Sequence, residues 1–158
     1  MVTLPPALLG LALGIHCCHD EIAAVELYLP ADPLPPITAT AAERRLGNET
    51  ARQLGCWLDD PGFRFELPLA SAPTPFADRV RKALQSIPVG QTRSYGELAH
   101  ELGSAPRAVA QGCRRNPLPI LVACHRVVAG NGLGGYAGSI AGTLVAFKAA
   151  LLQHERQG

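Results

Sequence analysis

Cys124, His125 and Arg126 stand side by side in an otherwise apolar run covering residues 120–128. A thiol next to an imidazole supports nucleophilic chemistry: the imidazole takes the thiol proton and the thiolate attacks an electrophilic carbon. An apolar run of this length ordinarily folds as a buried strand or core segment. Three costly polar groups inside it break the local rule, and such breaks concentrate at functional sites. Glycines at 130, 132, 134 and 135 follow, which suits a tight turn or close approach to a ligand. Ionisation alone contributes little. A thiol of ordinary pKa, about 8.5, is a few per cent thiolate at neutral pH, so full ionisation gains roughly thirtyfold. Alignment of the reacting atoms and a donor that relieves charge on the leaving group must supply the rest. Taken alone, Cys124 reads more simply as an inert buried thiol, because free cysteine is among the most buried residues.

The elements that must hold this stretch are legible on both sides of it. Thr74 can cap a helix with Pro75 at its first position. Phe76, Val80, Ala83, Leu84 and Ile87 give that helix an apolar stripe, and Pro88-Val89-Gly90 ends it. A second helix is expected over residues 95–102, a turn at Gly103-Ser104-Ala105, and a third helix over 106–115. Two short helices joined by a glycine-containing turn fit a helix-turn-helix, although such hairpins are also common in core packing. The last helix is expected over 143–155. In the N-terminal half, Leu9, Leu11, Leu13 and Ile15 alternate as a strand does, and Val25, Leu27 and Leu29 repeat the pattern after a polar turn at 19–21, giving a hairpin. Residues 30–36 read as a proline-rich loop and 42–58 as a helix. Phe63, Phe65 and Leu67 alternate as a third strand. The fold class is therefore α/β (α+β): a small α/β lobe over residues 1–72 and a mainly helical lobe over 73–158.

Composition allows a sizeable core: 47% of the 158 residues are hydrophobic and 17% charged. Net charge is +1 but unevenly spread: residues 1–75 carry 4 Arg against 9 Asp/Glu, and residues 76–158 carry 10 Lys/Arg against 4 Asp/Glu. The half containing the motifs is the basic half, as a phosphate backbone would favour. Five cysteines, odd in number and irregularly spaced, imply no disulfide framework, so reduced thiols in the cytoplasm are expected. Residues 7–15 resemble a short signal segment, but no Lys or Arg precedes them and His16-Cys17-Cys18-His19 is a poor cleavage site. That same cluster is too tightly spaced to give four tetrahedral ligands, so no metal is expected. No stretch is long enough to span a bilayer.

Asn116-Pro117-x-Pro119-Ile120, Cys124-His125-Arg126-Val127 and Gly134-Gly135-Tyr136 together resemble the active-site signature of the O6-alkylguanine-DNA alkyltransferases. The likeness extends to Ile87-Pro88-x-Gly90, Ser94-Tyr95-Gly96-Glu97-Leu98-Ala99, Arg107-Ala108-Val109 and Leu151-Leu152-x-His154-Glu155. It is close over 73–157 and holds only in outline before that, where it implies a ribonuclease-H-like lobe. The resemblance implies a cofactor-free, single-turnover DNA repair protein that moves an alkyl group from O6-alkylguanine, and from O4-alkylthymine, onto Cys124. In it His125 would accept the thiol proton through a water, Glu155 would orient the imidazole and Asn116 would brace the turn. Tyr95 would donate to the departing base. Carbonyls near Cys124 and Val127 would accept from the guanine amine, with Tyr136 and Ala137 shaping the pocket. The partner would be double-stranded DNA, bound by a monomer with the third helix in the minor groove and the target base flipped out. Arg107 would fill the gap in the duplex. Ala108 and Gly112 would lie close to the sugar–phosphate walls, and Ser94, Arg114 and Arg115 would contact the strand.

The chain departs from that pattern in places. Ala123 stands where proline is usual, Ala137 where a small hydroxyl residue is common, and Arg81 where an aromatic is common. About three extra residues fall near 140–143. Two competing readings are a lesion sensor that flips the base without transfer, and a Cys-His hydrolase that turns over repeatedly.

Overall fold

The computed structural model describes residues 1–157, and the chain divides into two compact units, Met1–Ala70 and Ser71–Gln157. The first unit is a three-stranded antiparallel sheet with one long helix. Strand β1 (Val2–Thr3) pairs with β2 (Ala12–Cys18), which pairs with β3 (Glu21–Tyr28) in the order β1-β2-β3. The β2–β3 connection is two residues long, His19 and Asp20, both at positive φ (50° and 62°). That backbone matches the right-handed twist of the flanking strands, so the expected hairpin closes tightly. Opposed pairs Leu13↔Leu27 and Ile15↔Val25 set the register, which shifts between His16 and Cys17. Helix α1 (Ala41–Asp59) opens with a capping box, Thr40 and Glu43 each satisfying the other's backbone N–H. It buries Thr50, Leu54 and Trp57, one stripe of the helix.

Two expectations for this unit need correction. The strand expected from Leu9 begins only at Ala12. Pro5 and Pro6 start a single 3-10 turn there, and Leu9 ends it at φ 58°. Nor do residues 63–67 form a strand. The segment is extended, but the side-chain amide of Gln53 on α1 takes both backbone groups of Glu66, accepting at 2.8 Å and donating at 3.1 Å. A side chain has replaced the neighbouring strand, and only Leu69 makes a bridge, to Ile22. The alternation of Phe63 and Phe65 is real but serves an aromatic cluster, with Phe65 ring centroids 5.9 Å from Phe63 and 6.4 Å from Trp57.

The second unit contains the four expected helices. In α2 (Pro75–Gln85) the Thr74 side chain accepts from Ala77 N with Pro75 in the first turn. Helix α3 (Tyr95–Glu101) opens with a capping box between Ser94 and Glu97 and ends at Gly103, φ 57°. Helix α4 (Pro106–Arg114) follows directly, giving the helix-turn-helix, and α5 (Thr143–Gln157) closes the chain. Their apolar faces meet in one core that includes Val80, Leu84, Leu98, Val109, Leu118, Phe147 and Leu151. The run at 120–128 is buried as expected, yet it is mostly turn. Cys124–Arg126 form a 3-10 turn, and only β5 (Val127–Val128) pairs, in parallel with β4 (Arg93–Ser94). Ile120 sits at φ 72°, a strained backbone for a β-branched residue, and it diverts the chain before a longer strand can form.

Candidate active site around Cys124

The short parallel ladder explains how distant parts of the chain meet. β4 leads straight into Tyr95 at the start of α3, and β5 leads straight out of the Cys124–Arg126 turn, with Arg93 opposite Val127 and Ser94 opposite Val128. Tyr95 and Cys124 thereby line one cavity of about 240 Å³, together with Arg107, Ala110, Gln111, Cys113, Arg114 and residues 135–140. Asn116 fixes the turn from behind. Its Nδ2 donates to Val122 O at 3.1 Å and to Cys124 Sγ at 3.2 Å, while its Oδ1 accepts from Leu118 N. Ala123 holds φ −73°, the angle a proline ring would impose.

Behind the sulfur lies a buried charge cluster. His125 Nε2 is 2.7 Å from Glu155 Oε1, and both side chains are essentially inaccessible. Arg126 forks onto the same carboxylate, Nη2 to Oε1 at 2.8 Å and Nε to Oε2 at 2.9 Å, and donates through Nη1 to Ile87 O. Burial would raise Glu155, but hydrogen bonds from His125 and Arg126 override it and hold the carboxyl at about 2. Burial pushes His125 down, against the pull of Glu155, so the imidazole is neutral. An ionised Glu155 only accepts, so Nε2 carries the proton and Nδ1 is the basic nitrogen; it is buried and has no hydrogen-bond partner among the described residues. Burial also raises the Cys124 thiol, partly offset by the Asn116 donor and the charge of Lys148. Tyr95 is pushed up to about 12 by burial and by Cys113 and Cys124, which keeps its phenol a donor at neutral pH.

The other expected site residues separate by helix face. Arg107 and Arg114 lie with Ala110 and Gln111 on the cavity side of α4. Ala108, Gly112 and Arg115 lie on the other side, lining a separate cavity of about 320 Å³ with Val80 and Leu84 of α2. A Cβ on Gly112 would stand 3.2 Å from both methyl carbons of Val80, so that glycine serves helix packing. The rotation of about 100° per residue separates the two sets. Ser94 is committed to its helix, its hydroxyl accepting from Glu97 N at 3.1 Å. Val127 does not line the cavity; it is fully buried and its carbonyl accepts from Lys148 at 2.6 Å. Tyr136 and Ala137 do line it. Ala137 (φ 46°) and Gly138 (φ 87°) close a tight turn in which Tyr136 and Ser139 exchange two backbone hydrogen bonds of 2.8 Å. Gly135 is obligatory there, since a Cβ would fall 2.6 Å from Ser139 O. His16 pairs with Glu26 and Cys18 with His19, and among the described residues no group of three or more His, Cys, Asp or Glu is arranged to hold a metal. Among the described residues no helix is long and apolar enough to cross a membrane.

Three participants escaped the sequence reading: Arg126 as a partner of Glu155, Cys113 in the cavity wall, and Lys148. The Lys148 ammonium is wholly buried and donates to three carbonyls, of Val127, Leu133 and Gly135, at 2.6, 2.7 and 3.0 Å. It lies 5.9 Å from the Tyr95 ring centroid. One bond set thus ties the loop after Cys124 to α5. The signal was present: Lys148 and Glu155 are two turns apart on a helix face otherwise occupied by Phe147, Leu151 and Leu152.

Known proteins resemble this chain in sequence and in fold. A methylated-DNA–protein-cysteine methyltransferase of Bacillus subtilis is 50% identical over 111 residues, covering 68% of this chain and 65% of that protein. One from Archaeoglobus fulgidus is 38% identical over 56% of this chain and 60% of its own length. The matched stretch thus spans under two thirds of these curated relatives. In three dimensions the chain is similar to Mycobacterium tuberculosis OGT in complex with DNA, with TM-score 0.71 and 32% identity over 98% of this chain and 91% of that one. It is also similar to an O6-methylguanine DNA methyltransferase from Methanococcus jannaschii, with TM-score 0.69 and 25% identity over 92% and 89%. The family model for the 6-O-methylguanine DNA methyltransferase DNA binding domain matches residues 75–157, which include every cavity and charge-cluster residue described above, and the chain belongs to that family.

Proposed function

We propose that this protein repairs DNA by moving an alkyl group from O6-alkylguanine, and from O4-alkylthymine, irreversibly onto Cys124. The observation that carries the reading is the Cys124 sulfur lining a cavity with the Tyr95 phenol in the same wall and a buried His125–Glu155 pair behind it. The Cys124 thiol, raised by burial, passes its proton through a water to Nδ1 of neutral His125, and Glu155 stabilises the imidazolium that forms. The thiolate attacks the alkyl carbon, the carbon–oxygen bond breaks, and Tyr95 donates toward the departing base as negative charge builds. Asn116 keeps the sulfur on line. The thioether product is a very poor leaving group, so each molecule acts once.

The partner in this reading is double-stranded DNA with the target base flipped into the cavity, bound by a monomer through the minor groove. The cavity-facing edge of α4 supplies Arg107 to fill the stack and Arg114 to meet the strand, which is supported by their position at the cavity wall and by the basic balance of residues 76–158. The cytoplasm suits a protein whose acceptor must stay a thiol. Incubation with a duplex oligonucleotide carrying O6-methylguanine, followed by intact and peptide mass analysis, tests the proposal. One methyl per protein on Cys124, absent in Cys124→Ser, is expected. Tight binding with no gain in mass identifies a sensor instead, and repeated turnover on small acyl substrates identifies a hydrolase.

A further inference from the structure

The proposed transfer leaves one nucleophile in its own cavity unused. Cys113, in the last turn of α4, and Cys124 line the same cavity, and each is 7% exposed. Asn116 links them physically: its backbone N–H donates to Cys113 O at 3.2 Å and its side chain donates to Cys124 Sγ at 3.2 Å. The intervening turn brings the chain back on itself, so the two thiols face one small space. Burial, and after it the charge of Cys124, raise the Cys113 thiol. The remaining cysteines, Cys17, Cys18 and Cys56, all belong to the Met1–Ala70 unit.

We propose that Cys113 is a resolving thiol that converts oxidised Cys124 into a reversible intramolecular disulfide. The oxidant is a hydroperoxide. The Cys124 thiolate attacks one peroxide oxygen, the O–O bond breaks, and Cys124 sulfenic acid forms with release of hydroxide. The Cys113 sulfur then attacks the Cys124 sulfur; the S–O bond breaks, water leaves with the Cys113 proton, and the S–S bond forms. The bond occupies the acceptor sulfur and prevents alkyl transfer, yet spares it from the irreversible sulfinic and sulfonic states. A dithiol restores both thiols. The consequence for repair rests on Cys124 being the acceptor; the bond itself does not.

Treatment of the full chain with hydrogen peroxide, followed by alkylation, tryptic digestion without reduction and mass analysis, tests this. Peptides 108–114 and 116–126 are expected joined, at a mass lower by the two hydrogens lost. Dithiothreitol is expected to restore most of the initial methyl-accepting capacity. In Cys113→Ala and Cys113→Ser, each judged against its own unoxidised capacity and folded by circular dichroism, the joined peptides are absent and Cys124 proceeds to sulfinic and sulfonic acid. The restored fraction then falls at least about fivefold. A wild-type protein whose Cys124 is oxidised without joined peptides overturns the proposal, as do variants restored as fully as wild type. Because the link is read by mass, it stands or falls separately from whether the unoxidised protein accepts a methyl group.

Discussion

The two units bury polar groups of different kinds. Among the described residues, Met1–Ala70 buries Thr50 and Gln53, both neutral, whereas Ser71–Gln157 buries His125, Lys148 and Glu155, all titratable. Thr50 and Gln53 close backbone accounts. The hydroxyl donates to Leu46 O one turn back, and the amide substitutes for a missing strand at Glu66. Such groups cost little to bury once hydrogen-bonded. Buried charges are far more expensive, and well-packed apolar replacements often give equal or better stability. Their concentration around Cys124 therefore points to chemistry: they fix which imidazole nitrogen is basic, hold the loop after the nucleophile, and set the charge felt by the sulfur.

Glu155→Gln is expected to give the largest effect. It removes the anion that His125 and Arg126 share, leaving a guanidinium that is 12% exposed without its partner, at a cost of about 3–5 kcal/mol in urea unfolding. A cost below about 1 kcal/mol would show that the cluster is not held by charge. The same carboxylate sets an acid limit. Its folded pKa of about 2 lies below the ordinary 4.5, so its contribution is complete above pH 4.5 and disappears as pH falls toward 2. From that depression the contribution is about 3 kcal/mol, and a stability–pH profile of Glu155→Gln should lack this limb. Gln53→Ala should leave the limb intact.

Lys148→Met comes next. It strands the carbonyls of Val127, Leu133 and Gly135 in the interior and should cost about 2–4 kcal/mol, with alkyl transfer slowed beyond what unfolding explains. Unchanged transfer in the folded fraction would separate the lysine from the site. Gln53→Ala should cost about 1–3 kcal/mol and leave transfer by folded protein unaltered. Slowed transfer by the folded fraction there would erase the contrast between the units.

How much of this was legible in the sequence follows the same division. Local chemistry declares itself: the Thr74-Pro75 start and the polar turn between the first two strands were each readable because their partners are within a few residues. The Cys-His-Glu arrangement was readable through resemblance, although Glu155 is thirty residues from His125. Substitution of one hydrogen-bonding partner by another was not. Gln53 for a strand and Lys148 for a turn are long-range choices that leave the local pattern unchanged. Gly112 carries a related ambiguity, since a small residue serves close packing on Val80 as well as it would serve close approach to DNA.

The smallest expected effect tests how the site manages without a usual rigid residue. Alanine stands before the nucleophile where proline is usual, yet Ala123 already holds φ −73° and its N–H forms no backbone hydrogen bond among those described. Asn116, bonded on both sides of it, supplies the constraint that a ring would. Proline at such a position acts chiefly by narrowing the unfolded ensemble. Ala123→Pro should therefore raise stability by about 0.4–1 kcal/mol in thermal or urea unfolding and leave the transfer rate within about twofold. In the Asn116→Ala background, where the brace is gone, the same proline should recover part of the lost rate. Equal effects of the proline with and without Asn116 would mean that the two do not share one task, and that the turn holding Cys124 is fixed from elsewhere.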